Sequence, residues 1–136
     1  MLKKTMTYTD FDGNERTEDF HFNLSKSEIV EMELAQAGGL SAMLKRIVAE
    51  RDKSRIITMF KDIIYRSYGE KSDDGKRFVK VRNGERLAEA FMQTQAFDDL
   101  FMELANDAEK ASAFVNALIP KDLADKAAGD AANRNP

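Results

Sequence analysis

The stretch SRIITMFKDIIYRSYGEKSDDGKRF, residues 54–78, contains the most apolar helical pattern in the first half of the chain. Its large apolar side chains recur at steps of three or four, at Ile57, Phe60, Ile64 and Tyr68. This spacing predicts an amphipathic helix. Ser54 is suited to cap its start, and Gly69 is suited to end it in the left-handed conformation. We therefore expect the other elements to pack around this helix, with a charged loop after it.

The N-terminal residues carry the pattern of a β-hairpin. Apolar and polar side chains alternate from Thr17 onward, which places Phe20 and Phe22 on one face of a strand. Asp12-Gly13, between the two alternating runs, is a signal for a hairpin turn. Because an isolated two-stranded hairpin is only marginally stable in water, its phenylalanine face must pack on helices or extend a sheet in a partner.

Two helices are predicted between the hairpin and the central helix. Ser25 and Glu28 have the spacing of a capping box and open a helix that runs to about residue 37. The glycine pair at 38–39 ends this helix. Apolar side chains at helical spacing then predict a second helix around residues 40–48, with a charged opposite face.

The second half of the chain reads as a short irregular region followed by helices. Residues 78–81 fit either a short strand or a loop, and Asn83-Gly84 marks a turn or a helix start. Thr94 and Asp107 are residue types that cap helix N-termini, so we expect separate helices to begin there. A proline shortly after the last apolar position should end the final helix.

Together these patterns predict an α+β protein that is mostly α-helical, with an N-terminal β-hairpin followed by a bundle of five to six helices. Residues 1–120 form a single globular domain, with the hairpin in 1–24 and helices in 25–120. Residues 121–136 are a polar C-terminal tail that is partly disordered. The predicted core residues are Ile57, Phe60, Ile64, Phe97, Phe101, Leu104, Phe114 and Leu118.

Composition excludes several classes of function. The chain has no cysteine and a single histidine, His21, so disulfides, thiol catalysis and zinc sites built on cysteine are excluded. Residues 73–76 and 10–15 are acidic, but both lack the ligand spacing of a calcium loop and are interpreted as turns. The net charge of −3 disfavours nucleic-acid binding. No apolar run approaches the roughly 18 residues of a membrane span. We predict no catalytic, cofactor or metal site, and no enzyme.

The helical half of the chain holds more large apolar residues than one buried stripe requires. Neighbouring positions on a helix diverge by about 100°, so these residues cannot all point the same way. Some of them must face a second surface, either another helix or another protein. The candidate protein-binding residues are therefore Phe91, Met92, Phe97, Phe101 and Met102.

Three stretches also resemble a known family: KTMTYTDFDGNERTEDFHFNLSKSEIVEMEL at 4–34, YGEKSDDGKRF at 68–78, and QAFDDLFMELANDAEKASAFVNALIP at 95–120. In this order they resemble the tail assembly chaperones of long-tailed (siphovirus-type) bacteriophages of Gram-positive hosts. The resemblance covers roughly residues 1–120. None of the three stretches is a catalytic motif, so the resemblance points to a fold and a role rather than to particular binding residues.

The resemblance implies a role in assembly. Such a protein binds the tape-measure protein in the host cytoplasm, keeps it soluble and promotes assembly of the tail-tube protein around it. We also expect a homo-oligomer. It is absent from the mature virion. Two alternatives remain at this point: a structural tail or head-completion protein retained in the virion, and a small nucleic-acid-binding regulator.

Overall fold

A computed structural model describes residues 1–35 and 53–118 of the chain. The predicted helix at 40–48 and the predicted tail at 121–136 lie outside these residues. The elements follow in the order β1 (Leu2–Thr9), β2 (Glu15–Phe22), α1 (Lys26–Ala35), α2 (Lys53–Ser67), β3 (Tyr68–Lys71), β4 (Phe78–Val79), β5 (Val81–Arg82), β6 (Glu85–Arg86), α3 (Leu87–Phe91), α4 (Gln95–Asn106) and α5 (Ala108–Leu118).

Strands β1 and β2 form the predicted hairpin, and all eight positions of β1 pair with β2. The turn is fixed by Asp10, whose Oδ1 accepts hydrogen bonds from the backbone N–H groups of Asp12 and Asn14, both at 2.9 Å. Gly13 has φ +83°, a conformation that glycine adopts without steric cost. The acidic run at 10–15 is therefore a turn, as its position between two strands indicated.

The hairpin is one half of a four-stranded antiparallel sheet with the order β1-β2-β3-β4. Strand β3 begins directly after α2, and His21 and Phe22 of β2 pair with its Gly69 and Tyr68. The prediction that Gly69 ends a helix in the left-handed conformation is wrong. Gly69 lies in a strand where a Cβ would come within 2.5 Å of the Phe78 ring and of the Val79 carbonyl oxygen. Only glycine fits between β3 and β4 at this point.

The predicted fold class needs correction. The chain has both helices and strands, but the prediction of a mostly α-helical protein with a hairpin followed by a bundle of five to six helices is wrong. Strands β3 and β4, from the middle of the chain, join the hairpin in one sheet. The helices pack on this sheet: Phe20 and Phe22 contact Phe91, with ring centroids 5.2 Å and 5.8 Å apart. The sequence did not show this because β3 continues the apolar spacing of the preceding helix.

Three of the predicted helix starts are confirmed by their hydrogen bonds, whereas the predicted cap Ser54 lies inside α2, which begins at Lys53. Ser25 Oγ accepts from the N–H of Glu28 at 3.2 Å, and Glu28 Oε1 accepts from the N–H of Ser25 at 3.0 Å, which completes the capping box of α1. Thr94 Oγ1 accepts from the N–H of Phe97 at 3.2 Å and begins α4. Asp107 Oδ1 accepts two N–H groups at the start of α5, at 3.0 and 3.1 Å.

A second, smaller hairpin of β5 and β6 lies against the C-terminus of α2. Its turn residues Asn83 and Gly84 have φ +53° and +78°, the backbone signs of a type I′ turn. The Arg86 guanidinium donates to the carbonyl oxygen of Tyr65 at 3.0 Å and lies 4.5 Å from the centre of the Tyr65 ring. These contacts satisfy a carbonyl group that the end of a helix leaves without an intrahelical partner.

Aromatic side chains join the sheet and the helices in one core. Phe22 is fully buried and packs edge-on against Phe114, with ring centroids 5.2 Å apart. Tyr68 stacks on Phe91 with ring centroids 4.2 Å apart. Six of the predicted core residues are buried: Phe60, Ile64, Phe97, Leu104, Phe114 and Leu118. The two others, Ile57 and Phe101, are half-buried.

Candidate protein-binding surfaces

The structure divides the five candidate binding residues between the core and the surface. Phe91 and Phe97 are buried, with ring centroids 5.9 Å apart. Met92 and Phe101 are half-buried and pack against the edge of the core. Met102 is 55% exposed. One run of apolar residues therefore contributes to the core on one side and to the surface on the other.

Helix α4 produces this division through its phase. Thr94 fixes the start of the helix, and Phe97, Leu100 and Leu104 then fall on the buried face. Met102 lies on the opposite face, where Asp98 and its neighbour are also exposed. Residues three and four apart on a helix are neighbours. Met102 is therefore an apolar side chain within an acidic surface.

Phe101 lies at the boundary between these two faces. Its ring is 5.9 Å from the ring of Phe97, and the ammonium group of Lys61 lies 5.9 Å from its centre. Glu103 of the same helix forms ion pairs with Lys4 of β1 at 3.3 Å and with Lys110 of α5 at 3.9 Å. These ion pairs connect helix α4 to β1 on one side and to α5 on the other. We call the outer side of α4, formed by Asp98, Asp99, Phe101 and Met102, the α4 surface.

A cleft of about 360 Å³ opens between β2, β3 and α3. We call it the sheet–helix cleft. Its aromatic wall is formed by Tyr8, Phe20, Tyr68 and Phe91. Three acidic residues, Glu18, Asp19 and Glu70, also line it, and the side chains of Glu18 and Glu70 are 42% and 47% exposed. The cleft therefore combines ring surfaces with negative charge.

The tyrosines of the sheet–helix cleft show the effect of this environment. Burial, followed by the charges of Glu70 and Glu18, raises the pKa of Tyr68 to about 12. The hydrogen bond that Tyr8 donates to Glu18, together with burial, raises the pKa of Tyr8. Both tyrosines therefore stay protonated and neutral at physiological pH, and the negative charge in the cleft belongs to its carboxylates.

A second cleft, of about 320 Å³, lies between α1 and α2. Glu28, one of its lining residues, is already engaged by Lys80. Lys80 Nζ lies 2.6 Å and 2.8 Å from the two carboxylate oxygens of Glu28 and donates to the carbonyl oxygen of Arg66 at 2.6 Å. Burial lowers the pKa of Lys80, and the Glu28 carboxylate partly offsets this shift. The pair joins α1 to the C-terminus of α2 and is interpreted as a structural tie.

The described residues contain no group of three or more acidic or histidine side chains that could hold a metal ion. The acidic run at 73–76 is a turn in which Asp74 Oδ1 accepts from Ser72 Oγ at 2.6 Å and from the N–H of Lys76 at 3.0 Å. Within residues 1–35 and 53–118, no helix is long and apolar enough to cross a membrane.

The sequence patterns missed the sheet–helix cleft. The helical spacing places Tyr68 in a helix, so the sequence gives no reason to expect Glu70 in a strand of the sheet. One signal was present: Glu18 falls on the same face of β2 as Phe20 and Phe22. An acidic residue on the apolar face of a strand is unusual and marks a place where the packing opens.

Comparison with known proteins gives the class of this molecule. A family model for phage tail assembly chaperones matches residues 1–135. The chain belongs to this family. The tail assembly chaperones are not a class of enzymes, and membership implies interaction with phage tail proteins. The match confirms the chaperone class that the three stretches at 4–34, 68–78 and 95–120 indicated. No curated protein and no solved structure matches the chain.

Proposed function

We propose that this tail assembly chaperone binds the tape-measure protein of a long-tailed, siphovirus-type phage of a Gram-positive host. It keeps that protein soluble in the host cytoplasm and promotes assembly of the tail-tube protein around it. The observation that carries the proposal is the family match over residues 1–135, which spans nearly the whole chain. The net charge of −3 would help a protein needed in several copies to stay soluble.

The α4 surface is the proposed contact for the tape-measure protein. Phe101 and Met102, with Met92 at the edge of the core, offer apolar groups to amphipathic segments of a partner. Methionine suits such a surface because its unbranched side chain adapts to different partners. Phe91 and Phe97 act from inside, by holding α3 and α4 against the sheet and the rest of the core.

Co-expression tests the proposal directly. The tape-measure protein of the same phage should be largely insoluble when expressed alone. It should become soluble, and copurify, when this chain is expressed with it. A tape-measure protein that stays insoluble in the presence of this chain, or that is soluble without it, would contradict the proposal.

Mass spectrometry of purified virions separates a chaperone from a structural component. The proposal expects peptides of the tail-tube and tape-measure proteins in the particles and none of this chain, although the infected cells contain it. Detection of this chain at a fixed ratio to the tail-tube protein would show that it is retained. The protein would then be a structural component of the tail rather than an assembly factor alone.

A further inference from the structure

Strands β2 and β3 separate after two paired positions. Their pairing is limited to His21 with Gly69 and Phe22 with Tyr68, although β2 begins at Glu15. The sheet–helix cleft opens where the two strands part. The first part of β2 therefore pairs with β1 on one edge and meets the cleft on the other.

The free edge of β2 can be assigned residue by residue. The N–H of Asp10 donates to the carbonyl oxygen of Asn14 at 2.9 Å, and the N–H of Asn23 donates to that of Ser67 at 2.8 Å. In antiparallel pairs, hydrogen-bonded positions recur at every second residue. The even-numbered residues of β2 thus turn their backbone groups to β1, and the odd-numbered ones turn theirs toward β3. Within the described residues, no strand pairs with the edge formed by Thr17 and Asp19.

The side chains around this edge favour a cation. Glu18, Asp19 and Glu70 all line the cleft, and the carboxylate of Asp19 is engaged by β1, since it accepts from Thr5 Oγ1 at 2.5 Å. Arg16 is engaged mainly by Asp10, with Nε and Oδ2 2.6 Å apart, and reaches Glu18 only at 3.9 Å. Arg82 already pairs with Oε2 of Glu70 at 2.8 Å, so an incoming cation has to share this carboxylate with Arg82.

The aromatic wall adds a second attraction for the same kind of group. Tyr8 and Tyr68 are half-buried at the cleft, and behind them lie the buried rings of Phe20 and Phe91. A guanidinium or ammonium group is attracted to the face of an aromatic ring, and the attraction grows when water is partly excluded. Burial is the larger cause of the raised pKa of Tyr68, and the charges of Glu70 and Glu18 add to it.

We propose that the sheet–helix cleft binds an arginine or lysine side chain carried on an extended segment of a partner protein. The cation lies between Glu18 and Glu70 against the tyrosine rings. The backbone of the segment pairs with the free edge of β2 at Thr17 and Asp19. This site is separate from the α4 surface and does not depend on which phage protein the chaperone serves.

Amide chemical shifts of the ¹⁵N-labelled protein, titrated with capped pentapeptides, test the site. The probe has an arginine between two valines with threonines at the ends, and a matched peptide has citrulline, which is neutral and of nearly the same shape. The arginine peptide should shift the amides of Thr17, Asp19, Gly69 and Glu70, and added salt should weaken its binding. Equal shifts from the two peptides, or no shift at these amides at millimolar peptide, would overturn the proposal.

Charge-removing variants locate the binding. Glu18→Gln and Glu70→Gln should each weaken binding of the arginine peptide by about threefold, the scale expected for a partly exposed ion pair. Asp98→Asn, an equal change of charge on the α4 surface, should leave binding unchanged. If Asp98→Asn weakens binding as much as the cleft variants do, the attraction is to the acidity of the whole protein and the site is wrong.

A variant that leaves both carboxylates in place gives an independent test. Ala90 lies on the rim of the cleft and is exposed, so Ala90→Lys adds a resident cation without touching the core. It should abolish the shifts caused by the arginine peptide. Unchanged binding to this variant would place the peptide elsewhere. None of these experiments contains a tape-measure or tail-tube protein, so failure here leaves the proposed chaperone function to its own test.

Discussion

The inner and outer sides of the segment from α3 to α4 both carry large apolar residues, but only those on the inner side are buried. On the inner side, Phe91 stacks on Tyr68 of the sheet and contacts Phe97. On the outer side, Phe101 is half-buried and Met102 is exposed. The difference lies in what is opposite each residue, since only the inner side faces the aromatic residues of β2 and β3. An apolar residue that faces the sheet stabilises the fold. One that faces solvent is available to bind a partner.

The largest expected effect is on the inner side. Phe91→Ala removes a buried ring that contacts Phe20, Phe22, Tyr68 and Phe97, and should lower the free energy of unfolding by about 3–5 kcal/mol. Urea denaturation measures the change, and Met102→Ala is the matched control, expected to stay within about 0.5 kcal/mol of the parent. Similar losses from the two variants would break the distinction between the two sides.

A smaller effect is expected from the sheet that supports the inner side. Gly69→Ala brings a methyl group to within 2.5 Å of the Phe78 ring and of a backbone oxygen in β4, so one of the strands must move. Because Tyr68 stacks on Phe91, this movement reaches the core. We expect a loss of about 1–3 kcal/mol on thermal or urea unfolding. Gly75→Ala serves as a comparison: it adds a methyl group in open space at φ +73°, so its loss comes from backbone strain, whereas Gly69 has no positive φ and its loss comes from crowding.

The ion pair at the edge of the core should contribute less than the aromatic contacts, and with a defined pH dependence. Burial alone would raise the pKa of Glu28, but hydrogen bonds from Lys80 and from the N–H of Ser25 outweigh it, and the pKa is lowered from 4.5. A carboxylate with a lowered pKa in the folded protein contributes stability that is present above pH 4.5 and is lost as the pH falls through the lowered value.

Unfolding measured from pH 7 to pH 3 tests this contribution. Glu28→Gln should lower the free energy of unfolding by only about 1 kcal/mol at neutral pH, because the pair is partly exposed to solvent. It should also make the free energy of unfolding fall less steeply as the pH is lowered. Glu31→Gln is the control, since Glu31 is an exposed acidic residue on the same helix. If the parent and Glu28→Gln lose stability equally as the pH falls, the ion pair between Glu28 and Lys80 does not contribute to the stability of the folded protein.

Local signals in the sequence predicted much of the fold. The first hairpin, the capping box at Ser25, the Thr94 cap and the Asp107 cap depend on short-range hydrogen bonds, and all of these were predicted. The sheet was not predicted, because β3 is a short strand that pairs with residues more than 45 positions away. Helical spacing continued through Tyr68 and concealed the change of backbone conformation. Pairing between distant segments leaves little trace in either one alone.

The candidate binding residues show the same limit. The sequence established that Phe91, Met92, Phe97, Phe101 and Met102 cannot share one face, but the direction of each depended on the phase of α4 relative to the sheet. The sheet–helix cleft was missed altogether, since its carboxylates come from two strands that only the folded chain brings together.

The outer side of α4 is the proposed contact for the tape-measure protein. Met102→Asp tests it most directly, because the exposed side chain should tolerate the change with little loss of stability. Val30→Asp is the matched control on α1, where Val30 is 52% exposed and Met102 is 55% exposed. In pull-downs with co-expressed tape-measure protein, we expect Met102→Asp to recover much less partner than the parent, and Val30→Asp to recover the parent amount. Equal recovery by all three folded proteins would contradict the claim.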